Sequence, residues 1–474
     1  MSKLLAIIAV IGMTISLHAQ TQLLGKVSVK GNGIENVMVT DGYSCVLTSQ
    51  DGSYTITKHP EARFVYITTP AGYLTDVDST RPLFYQAIDA NKAEYNFKLK
   101  KNPKSDIKHT VYVQSDVQVA DEIELMKYKK IVTDAKAYLK NYSSGDLFGL
   151  DCGDIVGDKP QLYSGYMREV SALDIPIYRA MGNHDMAYYG RSFETSTKRF
   201  EGMFGPTYYS LNKGKVHYIV INNNFYIGRD YFYMGYIDEA TFHWLEQDLK
   251  NVPAGSLVVM AMHIPTRLTP KDTPFEYTSK RMGTQTINNS ALYSMLEKYN
   301  THFITGHMHT NDNIVFSPTM MEHNTGAACG TWWQLDGCVD GTPCGYAIYE
   351  IDGDNIKWHF KGAEHSADYQ FRAYGFNSSK EYPNDIIANV WNYDPLWKVE
   401  WLENGKVMGN MTQFTGLDPY IGEKCKDTSK MKYSWIGPNP TKHLFRATPL
   451  NKSSKIEVRV TDRFGKVYSQ KILK

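Results

Sequence analysis

Five short polar segments in the middle of the chain carry its most distinctive chemistry. Each follows an apolar run typical of a buried β-strand, so each is expected at the end of a strand. The segments are Ser115-Asp116-Val117-Gln118, Gly153-Asp154-Ile155-Val156-Gly157-Asp158, Gly182-Asn183-His184-Asp185, Met262-His263 and Gly306-His307-Met308-His309. Because strand ends of an α/β sheet gather ligands at one edge, we expect these side chains to meet at one site.

Together the segments offer a metal a mixed set of oxygen and nitrogen donors. These donors are the carboxylates of Asp116 and Asp154, the amide oxygens of Gln118 and Asn183, and the imidazoles of His263, His307 and His309. The set favours Mn, Fe or Zn over a soft thiolate metal, and it is large enough for two ions. Each segment alone also has an ordinary explanation as a turn, a cap or a satisfied polar group. The prediction of a metal site therefore rests on the order in which all five segments occur together.

The residues between these segments predict the elements that position them. Ile131, Ala135, Tyr138 and Leu139 recur at helical spacing and predict a helix between the first two segments. Apolar runs predict strands at 111–114, 147–150, 177–180, 216–221, 257–262 and 302–305. This alternation of strands and helices predicts an α/β layered core.

In content, order and strand-end placement, the series D-x-Q, GDIVGD, GNHD, H and GHMH resembles the calcineurin-like metallophosphoesterases. The resemblance implies an α/β fold, a four-layer α/β/β/α sandwich, with a dinuclear metal centre. Carried over by position, one metal takes Asp116, Asp154 and His309, and the other takes Asp154, Asn183, His263 and His307. Asp154 then bridges the two ions.

Gln118 departs from the family pattern, because many members carry a second histidine there. An amide oxygen is a weaker donor than an imidazole, so the occupancy and identity of the first metal stay open. Gln118 is predicted either to bind this metal or to position a water beside it.

The resemblance implies a metal-dependent phosphoester hydrolase, either a phosphatase or a phosphodiesterase. Two divalent or trivalent ions (Mn, Fe or Zn) would bind the phosphate oxygens, and a hydroxide bridging them would attack. His184 is predicted to protonate the leaving group, with Asp185 orienting its imidazole. The alternative for Asp185 is a loop-capping carboxylate. Asp158 is expected to cap a turn or support a ligand rather than bind metal.

Two β domains are predicted to flank the metallophosphoesterase domain, which is assigned to residues 104–370. Residues 20–103 carry hairpin signals at Asn32-Gly33 and Asp51-Gly52, and they resemble transthyretin-like, carboxypeptidase-regulatory β-sandwich modules. Residues 384–474 return to alternating strands after a linker, as in multidomain bacterial members of the family.

The first 19 residues are predicted to be a secretory signal peptide. Lys3 precedes an apolar run from Leu4 to Leu17, and His18-Ala19 offers a cleavage point. The run is short for a membrane span, and a buried N-terminal helix is the alternative. With no transmembrane segment predicted, we expect an exported bacterial protein, periplasmic or extracellular.

The net charge of +1 over 474 residues indicates no basic surface for nucleic acid. The expected partner is a small-molecule, lipid or glycan phosphoester. Two alternative functions are a nucleotide or nucleic-acid phosphodiesterase and a non-catalytic surface or glycan-binding protein. Seven convergent ligands disfavour the last. The oligomeric state is not indicated.

Two aromatic-rich stretches, 222–236 and 329–346, lie near the metal segments in sequence. They predict either pocket walls that stack on a base, a sugar or a choline-like group, or a seam between domains. Cys338 and Cys344 are close enough to form a disulfide, and free buried thiols are the alternative.

Overall fold

Three β-rich regions follow one another in the computed structural model, which describes residues 21–187, 192–228, 233–269 and 276–472. The predicted signal peptide, residues 1–19, lies outside the described residues. Within the described ranges, no helix combines the length and the apolar character that a bilayer crossing requires.

The N-terminal region contains two main sheets, with strand orders β2-β1-β11-β7 (β5 also pairing with β1) and β10-β6-β3-β4. Its strands are β1 (Gln22–Val29), β2 (Asn32–Gly33), β3 (Met38–Thr40), β4 (Cys45–Leu47), β5 (Ser53–Thr57), β6 (Phe64–Ile67), β7 (Tyr73–Leu74), β8 (Val77–Asp78), β9 (Arg81–Pro82), β10 (Tyr85–Ala87) and β11 (Phe97–Lys101). The first hairpin turns at Lys30 and Gly31, which have φ of 50° and 85°, so Asn32-Gly33 opens β2 instead of forming the turn.

The middle region contains two larger sheets, with orders β14-β13-β12-β23-β24 and β15-β16-β19-β20-β22-β21. Its strands are β12 (Lys108–Gln114), β13 (Asp146–Asp151), β14 (Ile177–Arg179), β15 (Tyr209–Lys213), β16 (Val216–Val220), β17 (Asn224–Tyr226), β18 (Tyr233–Gly235), β19 (Leu257–Ala261), β20 (Asn300–Thr305), β21 (Asp312–Ser317), β22 (Met320–Asn324), β23 (Gly345–Asp352) and β24 (Asn355–Gly362). Its helices are α1 (Glu122–Leu139), α2 (Tyr163–Val170), α3 (Phe193–Ser196), α4 (Lys198–Phe204), α5 (Glu239–Leu249), α6 (Ser279–Thr284) and α7 (Asn289–Leu296).

Side-chain alternation on these strands sorts the middle region into four layers. On β12, Val111 and Val113 join the core between the two sheets, whereas Tyr112 joins the core beneath α1 and α2. On β16, Tyr218 faces the first of these cores, while Ile219 packs with α5 and α7. The arrangement is the α/β/β/α sandwich that the sequence predicts.

The C-terminal region packs two four-stranded sheets, β25-β26-β30-β29 and β28-β27-β31-β32, around a core of its own. Its elements are β25 (Arg372–Tyr374), β26 (Ile386–Asn389), β27 (Lys398–Glu403), β28 (Lys406–Asn410), β29 (Thr412–Gly416), α8 (Pro419–Lys424), β30 (Thr441–Ala447), β31 (Ile456–Thr461) and β32 (Val467–Lys471). The strand over Arg372–Tyr374 begins before residue 384 and pairs with β26.

Candidate metal centre

The five polar segments meet where parallel strands of the two sheets end. Strands β12, β13 and β14 are parallel, as are β19 and β20, so the carboxyl ends of each set face one way. The side chains that follow these strands are Asp116 and Gln118, Asp154, Asn183 and His184, His263, and His307 and His309, respectively. Contacts among them join all seven predicted metal ligands into one cluster.

Three of these ligands converge on a fourth, His263. Its Nε2 lies 3.2 Å from Asp154 Oδ2, 3.1 Å from Asn183 Oδ1 and 3.2 Å from His307 Nδ1. The donor atoms of Asp154, His263 and His307 all lie within 4.8 Å of one another, which is the spacing of a shared ion.

Backbone carbonyls fix the tautomers of these two imidazoles. His263 places Nδ1 2.8 Å from the Cys152 carbonyl, and His307 places Nε2 2.9 Å from the Gly283 carbonyl. Because a carbonyl only accepts, these ring nitrogens carry the protons, and the opposite nitrogens turn toward the shared position. Such outer hydrogen bonds are typical of metal-binding histidines.

The pKa values of Asp154, His263 and His307 indicate that a positive charge is stabilised between these three side chains. Burial opposes the charge of Asp154, but His263 and His184 hold the pKa of this carboxylate well below its usual range. Burial lowers the pKa of His263, yet the Asp154 carboxylate outweighs it and raises that pKa to about 9. Burial and the His263 charge lower the pKa of His307 to about 3. The protein groups alone therefore hold one proton where a metal cation would fit.

The second half of the cluster contains Asp116, His309 and Gln118. His309 places Nδ1 2.6 Å from the Gly330 carbonyl, and its Nε2 lies 3.5 Å from Asp116 Oδ1. Gln118 is buried, and its amide nitrogen donates to Asp154 Oδ2 at 3.4 Å. Gln118 thus borders both halves of the cluster, and its role as a ligand stays a prediction.

Strained backbone supports the cluster. Positive φ is uncommon outside glycine and concentrates at functional sites. Five of the seven predicted ligands adopt it: Asp116 (53°), Gln118 (45°), Asp154 (53°), His307 (72°) and His309 (52°). The loops thus turn these side chains inward against their local conformational preference.

The carboxylate that contacts His184 is Asp158, not Asp185. His184 Nδ1 lies 2.9 Å from Asp158 Oδ1, and the His184 backbone N–H donates to Asp154 Oδ1 at 2.8 Å. Burial lowers the pKa of His184, but Asp154 and the hydrogen bond to Asp158 raise it to about 9. The expectation that Asp185 orients this imidazole is therefore wrong.

Asp185 ties two loops together instead. Its carboxylate accepts hydrogen bonds from the backbone N–H of Gly182 at 2.9 Å and of Ile155 at 3.2 Å, and from the Tyr163 hydroxyl at 3.1 Å. Burial and the Asp154 charge raise its pKa to about 7 despite these bonds. This is the loop-capping alternative that the sequence left open.

Aromatic rings flank the two histidines of the GHMH segment. Tyr233 meets His307 edge-on at a centroid distance of 6.0 Å, and Trp332 stacks on His309 at 4.2 Å. Trp333 instead is buried, and its indole N–H donates to the Val117 carbonyl. Other residues of the stretch 329–346 do form part of a seam with the C-terminal region, because the Lys432 N–H donates to the Gln334 side chain at 2.9 Å and the Asn439 N–H donates to the Val339 carbonyl at 2.9 Å. Residues 229–232 of the other stretch lie outside the described residues.

Sequence reasoning missed Trp435, whose ring contacts Trp332 from the C-terminal region. An isolated tryptophan in a polar loop carries no signal of this neighbour. All six cysteines, including Cys338 and Cys344, are free thiols, so the disulfide alternative is not realised.

Comparison with known families identifies the class. Residues 109–311 match the family model described as calcineurin-like phosphoesterase, 21–102 match the model for its N terminal, and 322–468 match that for its C terminal. The chain belongs to the calcineurin-like phosphoesterase family. It is a metal-dependent phosphoesterase with flanking N- and C-terminal family domains, as its sequence predicts.

Solved structures give weaker likenesses. A dimetal phosphatase from Danio rerio is 14% identical, with 54% of this chain and 96% of that chain covered and a TM-score of 0.39. A purple acid phosphatase from yellow lupin seeds is 12% identical, with 92% of this chain and 69% of that chain covered and a TM-score of 0.32. A 5'-nucleotidase from Candida albicans is 12% identical, with 56% of this chain and 53% of that chain covered and a TM-score of 0.32. No curated protein matches the sequence.

Proposed function

We propose that the chain hydrolyses small phosphoesters, monoesters or diesters, at a dinuclear metal centre. The residues that would hold the two ions are Asp116, Gln118, Asp154, Asn183, His263, His307 and His309. His184 would donate the proton to the leaving group. The ions are Mn, Fe or Zn, because the donors mix carboxylate, amide and imidazole groups without thiolate.

One observation carries this proposal. The Nε2 of His263 and the Nδ1 of His307 lie 3.2 Å apart beside the Asp154 carboxylate. Carbonyl acceptors hold the protons of both rings on their far sides. Two ring nitrogens that converge beside a carboxylate need either a proton or a metal cation between them, and this supports a metal there.

Bound metal ions supply Lewis acidity toward phosphoryl oxygens and an acidified water at neutral pH. The protein supplies the proton for the departing oxygen. With His184 Nδ1 bonded to Asp158, its Nε2 remains for the leaving group, and this atom lies 4.0 Å from Asp154 Oδ2. The ring is therefore at the border of the metal position, where a bound ester would lie.

Asp158 stabilises His184 both before and after it gives up the proton. Its carboxylate stabilises the imidazolium before transfer, and it keeps Nδ1–H bonded after Nε2 has lost its proton. The backbone bond from His184 to Asp154 fixes the ring's distance from the centre.

The test combines metal analysis with hydrolysis. The purified chain, loaded with Mn, Fe or Zn, is assayed on aryl phosphate monoesters and diesters, and its metal content is measured. We expect two ions per chain and at least one ester class to be cleaved. Asp154→Asn should lose both properties.

A matched pair of histidine variants controls for nonspecific binding. His263→Gln should lower metal content, whereas His243→Gln should not, because His243 lies on the exposed face of α5 beside Glu239 and Glu246. A wild-type chain that binds no metal and cleaves neither ester class would refute the proposal.

Export is part of the same proposal. It rests on the apolar run from Leu4 to Leu17 after Lys3 and on the small residue at Ala19. Mass spectrometry of the protein from a bacterial host should find a mature N-terminus near residue 20 in the periplasm or medium. An intact Met1 on cytoplasmic protein would contradict export.

A further inference from the structure

An exposed tryptophan of the C-terminal region lies beside the metal centre. Trp435 is 62% exposed, and its ring centroid lies 4.5 Å from that of Trp332 at 75°. Trp332 in turn stacks on His309, and Tyr433 packs against Trp435 at 5.5 Å. These three rings, Trp332, Tyr433 and Trp435, form an aromatic platform that runs from a candidate metal ligand to solvent.

The segment that carries Trp435 is fixed at both ends. On one side, Lys432 Nζ pairs with Asp121 Oδ2 at 2.8 Å and Glu124 Oε1 at 2.9 Å, at the start of α1. On the other side, the Asn439 N–H donates to the Val339 carbonyl at 2.9 Å. Trp435 is therefore held over the middle region by the start of α1, which follows the Asp116 segment, and by the loop at Val339, which follows the GHMH segment.

The position of Trp332 is also imposed. Its φ is 49° and that of Trp333 is 62°, a conformation that bulky residues rarely adopt. The Gln334 side chain donates to the Trp332 carbonyl at 2.9 Å, and Lys127 donates to that of Trp333. Surrounding contacts thus hold the Trp332 ring on His309 against its backbone preference.

Two polar side chains beside the platform, Gln334 and Lys432, already have hydrogen-bond or charge partners. The Gln334 amide nitrogen donates to the Trp332 carbonyl, and the Gln334 amide oxygen accepts from the Lys432 backbone N–H, each at 2.9 Å. The Lys432 ammonium is paired with Asp121 and Glu124. A sugar ring would need partners for its hydroxyls, whereas an aromatic ring is bound through its face. The surroundings favour an aromatic occupant.

We infer that the aromatic platform binds an aromatic ring of the phosphoester substrate, a nucleobase or an aryl group. The inference rests on the proposed function, since it concerns the substrate of the same metal centre. Trp435, which contacts no predicted metal ligand in the described part of the chain, determines specificity rather than supporting the metals.

The test compares two substrates with the same scissile bond. Adenosine 5'-monophosphate and ribose 5-phosphate differ in the base, as do their methyl diesters. We expect wild type to favour the adenosine compound in kcat/KM, and Trp435→Ala to lower this preference about tenfold through loss of stacking. Trp435→Phe should restore most of it. Leu450→Ala, at another exposed apolar residue of the C-terminal region, should leave it unchanged.

Binding decides the inference independently of catalysis. Adenosine, which has no phosphate, is titrated into metal-free wild type and Trp435→Ala, with saturation-transfer NMR as the readout and ribose as the control. Binding of adenosine that Trp435→Ala abolishes supports the platform even for a chain that hydrolyses neither ester. Equal adenosine signals in both proteins, or equal kcat/KM ratios on hydrolysed esters, would overturn it while leaving the proposed function intact.

Discussion

At the scale of single residues, His184 is the side chain whose replacement separates proton donation from metal binding. A good leaving group departs without protonation, whereas an alkoxide needs a proton. We expect His184→Gln to lower kcat on alkyl phosphoesters by about 10² to 10⁴, and on nitrophenyl esters much less. A leaving-group series at constant metal content measures this. Equal losses across the series would argue against a donor role.

The contact between His184 and Asp158 predicts a pH dependence. Burial lowers the pKa of His184, while the Asp154 charge and the Asp158 hydrogen bond raise it to about 9. Asp158→Asn removes the negative charge of residue 158 beside the imidazole, so the pKa of His184 falls and the ring loses its proton at a lower pH. The alkaline limb of kcat/KM should therefore move to lower pH by about one unit or more. The rate profile at fixed metal loading shows the shift.

Asp185→Asn is the matched control, because Asp185 is the carboxylate next to His184 in sequence. Its described partners are Gly182, Ile155, Val156 and Tyr163, so the alkaline limb should stay in place. If Asp185→Asn moves the limb and Asp158→Asn does not, the assignment from the structure is wrong.

The sequence could not choose between these two carboxylates. Asp158 is 26 residues from His184, and which loop reaches the imidazole depends on how the ends of β13 and β14 lie side by side. Adjacency favoured Asp185, but the left-handed turn at Asp158, with φ of 59°, brings the distant residue into contact.

At the scale of elements, the sequence located the strands more reliably than their partners. Apolar runs predicted β12, β13 and β19 because each is buried on both faces, and such strands read as continuous apolar stretches. The same pattern says nothing of order. That β23 lies antiparallel beside β12, between it and β24, follows from long-range pairing.

Two strand-end loops approach each other so closely at Gly306 that no side chain fits there. A Cβ at Gly306 would lie 1.7 Å from Ser115 Oγ and 2.5 Å from Asp116 Oδ2. Gly306→Ala must therefore displace Asp116, and we expect loss of one bound metal and about 100-fold lower activity. Metal content and kcat measure both effects. In Gly202→Ala nothing lies within 4 Å of the new Cβ, so this control should stay fully active. Two retained metals in Gly306→Ala would contradict the prediction.

At the scale of the whole molecule, the N-terminal region shares a core with the middle region. Phe84 is 3% exposed, and its ring lies 4.5 Å from Tyr209 and 6.0 Å from Tyr178, both in the middle region. The Asn212 N–H also donates to the Thr69 carbonyl across the boundary at 2.9 Å. The composition shift in the sequence marks the two regions, but it cannot show that they bury each other's aromatic rings.

This shared core predicts coupled unfolding, and the tryptophans report it. All eight lie between positions 244 and 435, so their fluorescence senses only the middle and C-terminal regions. Phe84→Ala should cost about 3 to 5 kcal/mol of unfolding free energy and lower the denaturant midpoint of this fluorescence, although residue 84 lies outside both regions. Leu83→Ala, at a 42% exposed neighbour, should change it by about 0.5 kcal/mol or less. An unchanged tryptophan midpoint in Phe84→Ala, with the N-terminal strands melting separately by hydrogen exchange, would instead define an independent domain.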